Sequence, residues 1–120
     1  MYKVMAVDDS PTVLASIKLA LERRGYDLHT SQRAEEALKQ LNSEKADLVI
    51  TDLNMPGMDG ITFIKQVRAN AVYRFTPIVM LTTESQQAKK EEARKAGATA
   101  WITKPFTPDQ LEMVLKKLLR

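Results

Sequence analysis

Leu48-Val49-Ile50-Thr51-Asp52, running on into Leu53-Asn54-Met55-Pro56-Gly57-Met58-Asp59-Gly60, is the stretch that decides how the chain is read. Leu48 to Thr51 is a short, wholly apolar or β-branched run, too short for a helix, and reads as a strand buried on both faces. An acid closes it. The residues Asn54 to Gly60, with Pro56, Gly57 and Gly60, form a loop. A strand with no polar face needs a strand on each side and helices above and below, so the flanking sequence must supply both.

Downstream it does. Ile61 to Asn70 carries Ile61, Ile64 and Val67 at helical spacing, and Ile78 to Leu81, preceded by Pro77, is a second buried strand. Ser85 to Ala96 is a helix closed by Gly97. Ala100 to Thr103 is a short strand, and Thr107 caps a last helix that starts at Pro108, with Leu111, Val114, Leu115 and Leu118 inward. Upstream, Lys3 to Val7 reads as a strand. Pro11 to Arg24 is a helix with Ser10 as N-cap and Gly25 beyond its end. Leu28 to Ser31 is a weaker, polar strand, and Ala34 to Asn42 is a helix with Ala37, Leu38 and Leu41 inward. The unit β-α therefore occurs five times and fills residues 1–120. Such alternation predicts a doubly wound α/β fold with right-handed crossovers and a parallel sheet. The strand order expected is 2-1-3-4-5, the flavodoxin-like (βα)5 arrangement.

The bulk properties fit one soluble domain. The 120 residues are 44% hydrophobic and 28% charged, with a net charge of +3 and no cysteine. No disulfide framework, thiolate metal site or cysteine nucleophile is available. No apolar run has the length of a signal peptide's core or a membrane span, which sets the expectation of a cytoplasmic protein with no membrane contact. The basic residues are interleaved with acids, as in Lys89-Lys90-Glu91-Glu92-Ala93-Arg94-Lys95. That is a solvated helix face, and no nucleic acid partner is expected.

In doubly wound sheets, sites form beyond the carboxyl ends of the strands, where the strand order reverses. Strands one and three would be neighbours there, bringing Asp8 and Asp9 beside Asp52. Strand four ends in Thr82-Thr83, and strand five in Thr103-Lys104-Pro105. Read alone, Asp8 and Asp9 suit helix capping, Asp52 suits a turn, and Lys104 suits solvent. Read together, three carboxylates, two hydroxyls and an ammonium converge on one edge. Crowded carboxylates call for a cation, and an all-oxygen set points to Mg²⁺. A carboxylate beside Mg²⁺ and a lysine can attack phosphorus to form an aspartyl phosphate.

At these positions the chain resembles the receiver family of response regulators, and within it the stand-alone chemotaxis regulators of the CheY type. The matching stretches are Val7-Asp8-Asp9-Ser10, Thr51 to Gly60, Leu81-Thr82-Thr83 and Lys104-Pro105-Phe106, in order and each at an expected strand end. The resemblance covers the whole chain as a single receiver with no output domain. It implies that Asp52 is the phosphoacceptor. It implies that Asp9, Asp52 and the Asn54 carbonyl ligate Mg²⁺, with Asp8 assisting through a water. Lys104 would contact the phosphoryl group, and Thr82 would be the switch hydroxyl. Trp101, three residues before the lysine, falls on the aromatic switch position, which is more often Tyr or Phe. Thr83 stands where a smaller residue is common, and Asn54 and Glu84 stand at positions that tune dephosphorylation. The partners implied are a sensor histidine kinase and a downstream target or phosphatase, with the flagellar motor switch as the chemotaxis example. Signalling would pass through the face made by the fourth helix, fifth strand and fifth helix of a monomer or a weak phosphorylation-dependent dimer.

The residues bear on two other classes. A Mg²⁺-dependent phosphatase with an aspartyl nucleophile would place a second Asp two positions after Asp52, where Asn54 stands. A pure interaction module would not need the full acidic set. His29 is expected to be an unpartnered surface residue. The methionines are expected to fill the core, apart from Met55 and Met58 over the site.

Overall fold

The computed structural model describes residues 1–119. It contains strands β1 (Lys3–Val7), β2 (Asp27–Ser31), β3 (Leu48–Thr51), β4 (Ile78–Thr82) and β5 (Ala100–Thr103). Between and after them lie helices α1 (Pro11–Glu22), α2 (Ala34–Ser43), α3 (Gly60–Ala69), α4 (Gln87–Ala96) and α5 (Pro108–Leu118). The strands form one sheet in the order β2-β1-β3-β4-β5, and every pairing is parallel. The flavodoxin-like topology expected from the sequence is the one observed.

The alternation of side chains along each strand splits the core in two. Val4 and Ala6 of β1, with Leu48, Ile50, Val79, Leu81 and Ile102, pack under α1 and α5 through Leu14, Ile17, Leu21, Leu111 and Leu115. Met5 and Val7, with Val49, Ile78 and Met80, face the other way and meet Ala34, Leu41, Ile61, Ile64, Val67 and Ala93 of α2, α3 and α4. Both faces of β3 and β4 are thereby dry, which is why neither strand tolerates a polar side chain before its final threonine.

Helix boundaries moved where local polar chemistry outvoted periodicity. Helix α1 stops at Glu22 rather than Arg24, because Arg24 and Gly25 donate to carbonyls three residues back and Gly25 takes φ +86°. Helix α3 begins one residue early, at Gly60, because the Asp59 carboxylate accepts from Thr62 N at 2.8 Å. Helix α4 begins at Gln87, not at Ser85. Ser85 does not cap it; the Glu84 carboxylate instead accepts from the Ser85 and Gln86 amides, both at 3.1 Å, and holds them outside the helix. Thr107 and Gln110 form a reciprocal capping box at α5.

A short 3₁₀ turn, Ala71–Tyr73, was not foreseen. It is fixed by two side chains. The buried Tyr73 hydroxyl donates to Leu41 O at 2.6 Å. The Arg68 guanidinium donates to the carbonyls of Tyr73, Thr76 and Gly97, so one half-buried cation ties α3 to the connection before β4 and to the end of α4. Burial holds that guanidinium below its ordinary pKa. The methionines divide as well: Met5 and Met80 are core residues, while Met113 is exposed.

Candidate functional site

The ladders that hold the sheet also aim the acids. Val7 of β1 pairs with Ser31 on one side and Thr51 on the other. The pattern then continues one residue further: Asp8 N donates to Ser31 O at 3.1 Å and Asp52 N donates to Val7 O at 3.0 Å. Asp8 and Asp52 therefore leave adjacent strands at the same level and on the same edge. Lys104 N donates to Thr82 O at 2.8 Å and extends β5 toward that edge in the same way.

The side chains converge accordingly. Oxygens of Asp8, Asp9 and Asp52 lie within 4.8 Å of one another. Asp8 and Asp52 are buried, whereas Asp9 is exposed. Each buried carboxylate has one oxygen held by backbone and one free for chemistry. Asp8 Oδ1 accepts from Ser10 N at 2.9 Å, and Asp52 Oδ1 accepts from Leu53 N at 2.7 Å. The second oxygens share the Lys104 ammonium, at 2.7 Å from Asp8 and 3.2 Å from Asp52.

The electrostatics follow from that geometry. Burial pushes the Asp8 carboxyl above its ordinary pKa, and the neighbouring Asp52 charge adds to it; the hydrogen bonds from Lys104 and Ser10 oppose but do not cancel the rise. Burial works to lower the Lys104 ammonium, yet the Asp8 hydrogen bond and the two carboxylate charges outweigh it and raise the pKa. One ammonium balances one of three clustered carboxylates, which leaves an oxygen-rich edge suited to a hard dication.

Thr82 ends β4 fully buried, and its hydroxyl accepts from Glu84 N at 3.3 Å. Thr83 beside it is exposed. Asn54 is exposed in the β3–α3 loop. Met55 and Met58 are not free covers over the site: Met55 is buried in the α2-α3-α4 core and Met58 packs against that core, so they anchor the loop from beneath. Trp101 is half-buried on the same side. Its indole nitrogen is buried without an acceptor, and Lys90 Nζ of α4 lies 5.8 Å from the ring centroid. His29 is not unpartnered: its Nε2 lies 3.3 Å from Asp27 Oδ2 and 3.6 Å from Glu44 Oε1, at the far end of the sheet.

Two residues escaped the sequence reading. The Thr51 hydroxyl, fully buried, donates to Asp52 O at 2.9 Å and steadies the Asp52 backbone from its own strand. Gly60 donates to Leu53 O at 2.8 Å, and a Cβ at Gly60 would lie 2.1 Å from Asp52 O. Only glycine lets α3 start so close to the end of β3. Its place eight residues after Asp52, just before the expected helix start at Ile61, was the available signal, but it read as loop punctuation.

A groove of about 760 Å³ runs between α1 and the β5–α5 connection, lined by Val13, Leu19, Ala20 and Phe106, with Thr83 and Lys104 at the end nearest the acids. It is apolar and lies beside the carboxylate cluster rather than over it.

Comparison with known proteins places this arrangement. Residues 4–116 match the model of the response regulator receiver domain family. The chain is 40% identical over 119 residues to the Helicobacter pylori chemotaxis protein CheY1, covering 98% of this chain and 96% of that one. It is 37% identical over 118 residues to the Bacillus subtilis alkaline phosphatase synthesis transcriptional regulatory protein PhoP, and spans 48% of that protein's length. Among solved structures, the Vibrio cholerae chemotaxis response regulator CheY4 superposes with a TM-score of 0.94 at 43% identity, covering 99% of both chains.

Proposed function

This chain belongs to the response regulator receiver family of two-component signalling, and we propose that it accepts a phosphoryl group on Asp52 from the phosphohistidine of a sensor kinase. One observation carries the reading. The free oxygens of Asp8 and Asp52 share a single lysine ammonium at the edge where three carboxylates meet.

In the transfer, the free Asp52 oxygen attacks phosphorus. The P–O bond forms as the P–N bond to the donor imidazole breaks, and the imidazole leaves with a proton. The Leu53 amide at Asp52 Oδ1 and the Thr51 hydroxyl at Asp52 O keep the carboxylate aimed throughout. The Lys104 ammonium exchanges Asp52 for a phosphoryl oxygen. Asp8, Asp9 and Asp52, with the Asn54 carbonyl, would hold Mg²⁺, which when bound offsets charge on the phosphoryl oxygens. The apolar groove ending at Lys104 and Thr83 supports approach of the donor protein from the α1 side.

The phosphoryl group adds roughly −1.5 to −2 charge at that edge. The Thr82 hydroxyl then gives up the Glu84 amide and donates to a phosphoryl oxygen. The space it leaves lies toward Trp101, whose indole N–H has no acceptor to lose by turning. The changed surface is that of α4, β5 and α5, read by a downstream protein. The likeness to CheY1 and CheY4 favours a chemotaxis or motility target, such as the flagellar motor switch, with a phosphatase closing the cycle.

Intact mass after incubation with acetyl phosphate, with and without Mg²⁺, tests the reading. Wild type should gain one phosphoryl group only with Mg²⁺, and Asp52→Asn should gain none. Steady release of phosphate without an adduct would instead assign the site to a phosphatase.

A further inference from the structure

The amino ends of the strands form the pole opposite the acids. Of the six large hydrophobic side chains exposed among the described residues, four lie here: Met1, Tyr2, Val72 and Phe75. Phe75 is 87% exposed, although it sits in an ordered connection between the 3₁₀ turn and β4 that Arg68 pins through the carbonyls of Tyr73 and Thr76. With Val72 and Pro77 around the same hollow, the ring is part of a contiguous apolar patch, the kind of surface that marks an interaction site.

Beside the ring is a hollow of about 300 Å³, lined by Lys45, Asp47, Val72, Phe75, Thr76 and Pro77. The patch thus carries a projection and a recess side by side. It also carries both signs of charge on one lip, with Lys45 exposed and, two positions on, Asp47 half-buried, one of its carboxylate oxygens accepting from Lys3 N at 2.8 Å and the other left to face outward partners. A surface of this kind is complementary to itself. A two-fold axis beside Phe75 would seat each ring in the other copy's hollow and set Lys45 of one copy against Asp47 of the other. A patch built for an unrelated partner has no reason to hold both halves of the match.

We propose that this pole is the interface of a symmetric homodimer of the chain, centred on Phe75. The site acids are at the other pole, so the dimer forms whether or not Asp52 carries a phosphoryl group, and it leaves the α4-β5-α5 surface of both copies open. The patch is small, so association belongs to the weak class, burying less than ~1,200 Å² in total.

Sedimentation equilibrium over protein concentrations from ~10 μM to ~1 mM, the span in which weak interfaces populate, tests the proposal. Wild type should pass from monomer to dimer across that span. Phe75→Ser should weaken association at least ~10-fold, as expected for loss of a central aromatic anchor. Lys45→Glu, which sets like charges opposite one another, should weaken it too. Both positions are exposed, and an unchanged melting temperature and unchanged Mg²⁺-dependent phosphorylation would show that the variants stay folded. The association constant should be the same with and without acetyl phosphate and Mg²⁺. A wild type that remains monomeric throughout overturns the proposal and leaves the pole to a different protein. A dimer that survives Phe75→Ser, or that forms only on phosphorylation, overturns it in favour of another face.

Discussion

Asp8 shows how a site residue works against the fold that carries it. Its carboxylate is 1% exposed, and burial raises its pKa despite the Lys104 and Ser10 hydrogen bonds. The folded state therefore binds the Asp8 proton more tightly than the unfolded chain does, and stability falls as pH rises through the carboxylate range toward the raised value. An asparagine at this position keeps an oxygen for the Ser10 amide and carries no charge at any pH. Lys104 stays protonated across that window, so losing its 2.7 Å partner shifts the comparison by a constant and adds no slope. The melting temperature of Asp8→Asn relative to wild type should thus climb as pH rises through the ordinary carboxylate range and on to the raised Asp8 value, and then level off. Thermal melts at several pH values, without divalent cations, measure it; a difference that stays flat would show that Asp8 is not ionised at a cost. Added Mg²⁺ should raise the melting temperature of wild type more than that of the variant. The acids were legible in the sequence because each closes an apolar run, so strand order alone brought them together. The sharing of Lys104 between Asp8 and Asp52, and its exclusion of Asp9, depends on side-chain reach that no spacing encodes.

At the scale of elements, the junction of β3 and α3 is the tightest point of the site. Gly60 N donates to Leu53 O, and the room a Cβ would need is filled by the carbonyl of Asp52. Gly60→Ala must push α3 away from the strand or shift the Asp52 backbone, both of which cost packing. It should destabilise the protein by about 1–3 kcal/mol, the range of overpacked core positions. It should also slow phosphorylation of the protein that remains folded. Urea denaturation gives the first quantity, and the acetyl phosphate mass assay the second. A neutral result in both would mean that α3 slides freely, against the close contact observed. The strands themselves were readable almost to the residue, since β1, β3 and β5 begin and end where their apolar runs do. Helix starts were less so. Helix α4 was expected from Ser85, but the Glu84 carboxylate holds the Ser85 and Gln86 amides, and the helix begins only at Gln87. The 3₁₀ turn at Ala71–Tyr73 has no periodicity to betray it, because long-range bonds from Tyr73 and Arg68 impose it.

Across the whole molecule, the proposed switch has to carry a charge change at one sheet edge to the α4-β5-α5 surface. Thr82 and Trp101 lie on adjacent strands: Thr82 is paired with Thr103, and Met80 with Trp101, in the β4–β5 ladder. Thr82 is wholly buried, so a shift of its hydroxyl leaves space that only a neighbour can fill. Trp101 is such a neighbour: it is half-buried against the α2-α3-α4 core, its N–H has no acceptor to give up, and the Lys90 ammonium lies over its ring. The phosphoryl group can bias this pair only through its different affinity for the two arrangements, and the Thr82 hydroxyl supplies part of that difference. Thr82→Ala removes the hydroxyl while leaving Asp52, Lys104 and the acids in place. The variant should still gain one Mg²⁺-dependent phosphoryl group in the mass assay, yet show a much smaller change in Trp101 fluorescence on phosphorylation than wild type. Trp101 is the only tryptophan of the chain, so the emission reports this position alone. A full fluorescence change in Thr82→Ala would route the signal around the threonine. Loss of the adduct itself would make Thr82 part of the transfer chemistry rather than of the coupling. Retained phosphorylation with a silenced indole would leave the path through β4 and β5 as the one that joins the acid edge to the output face.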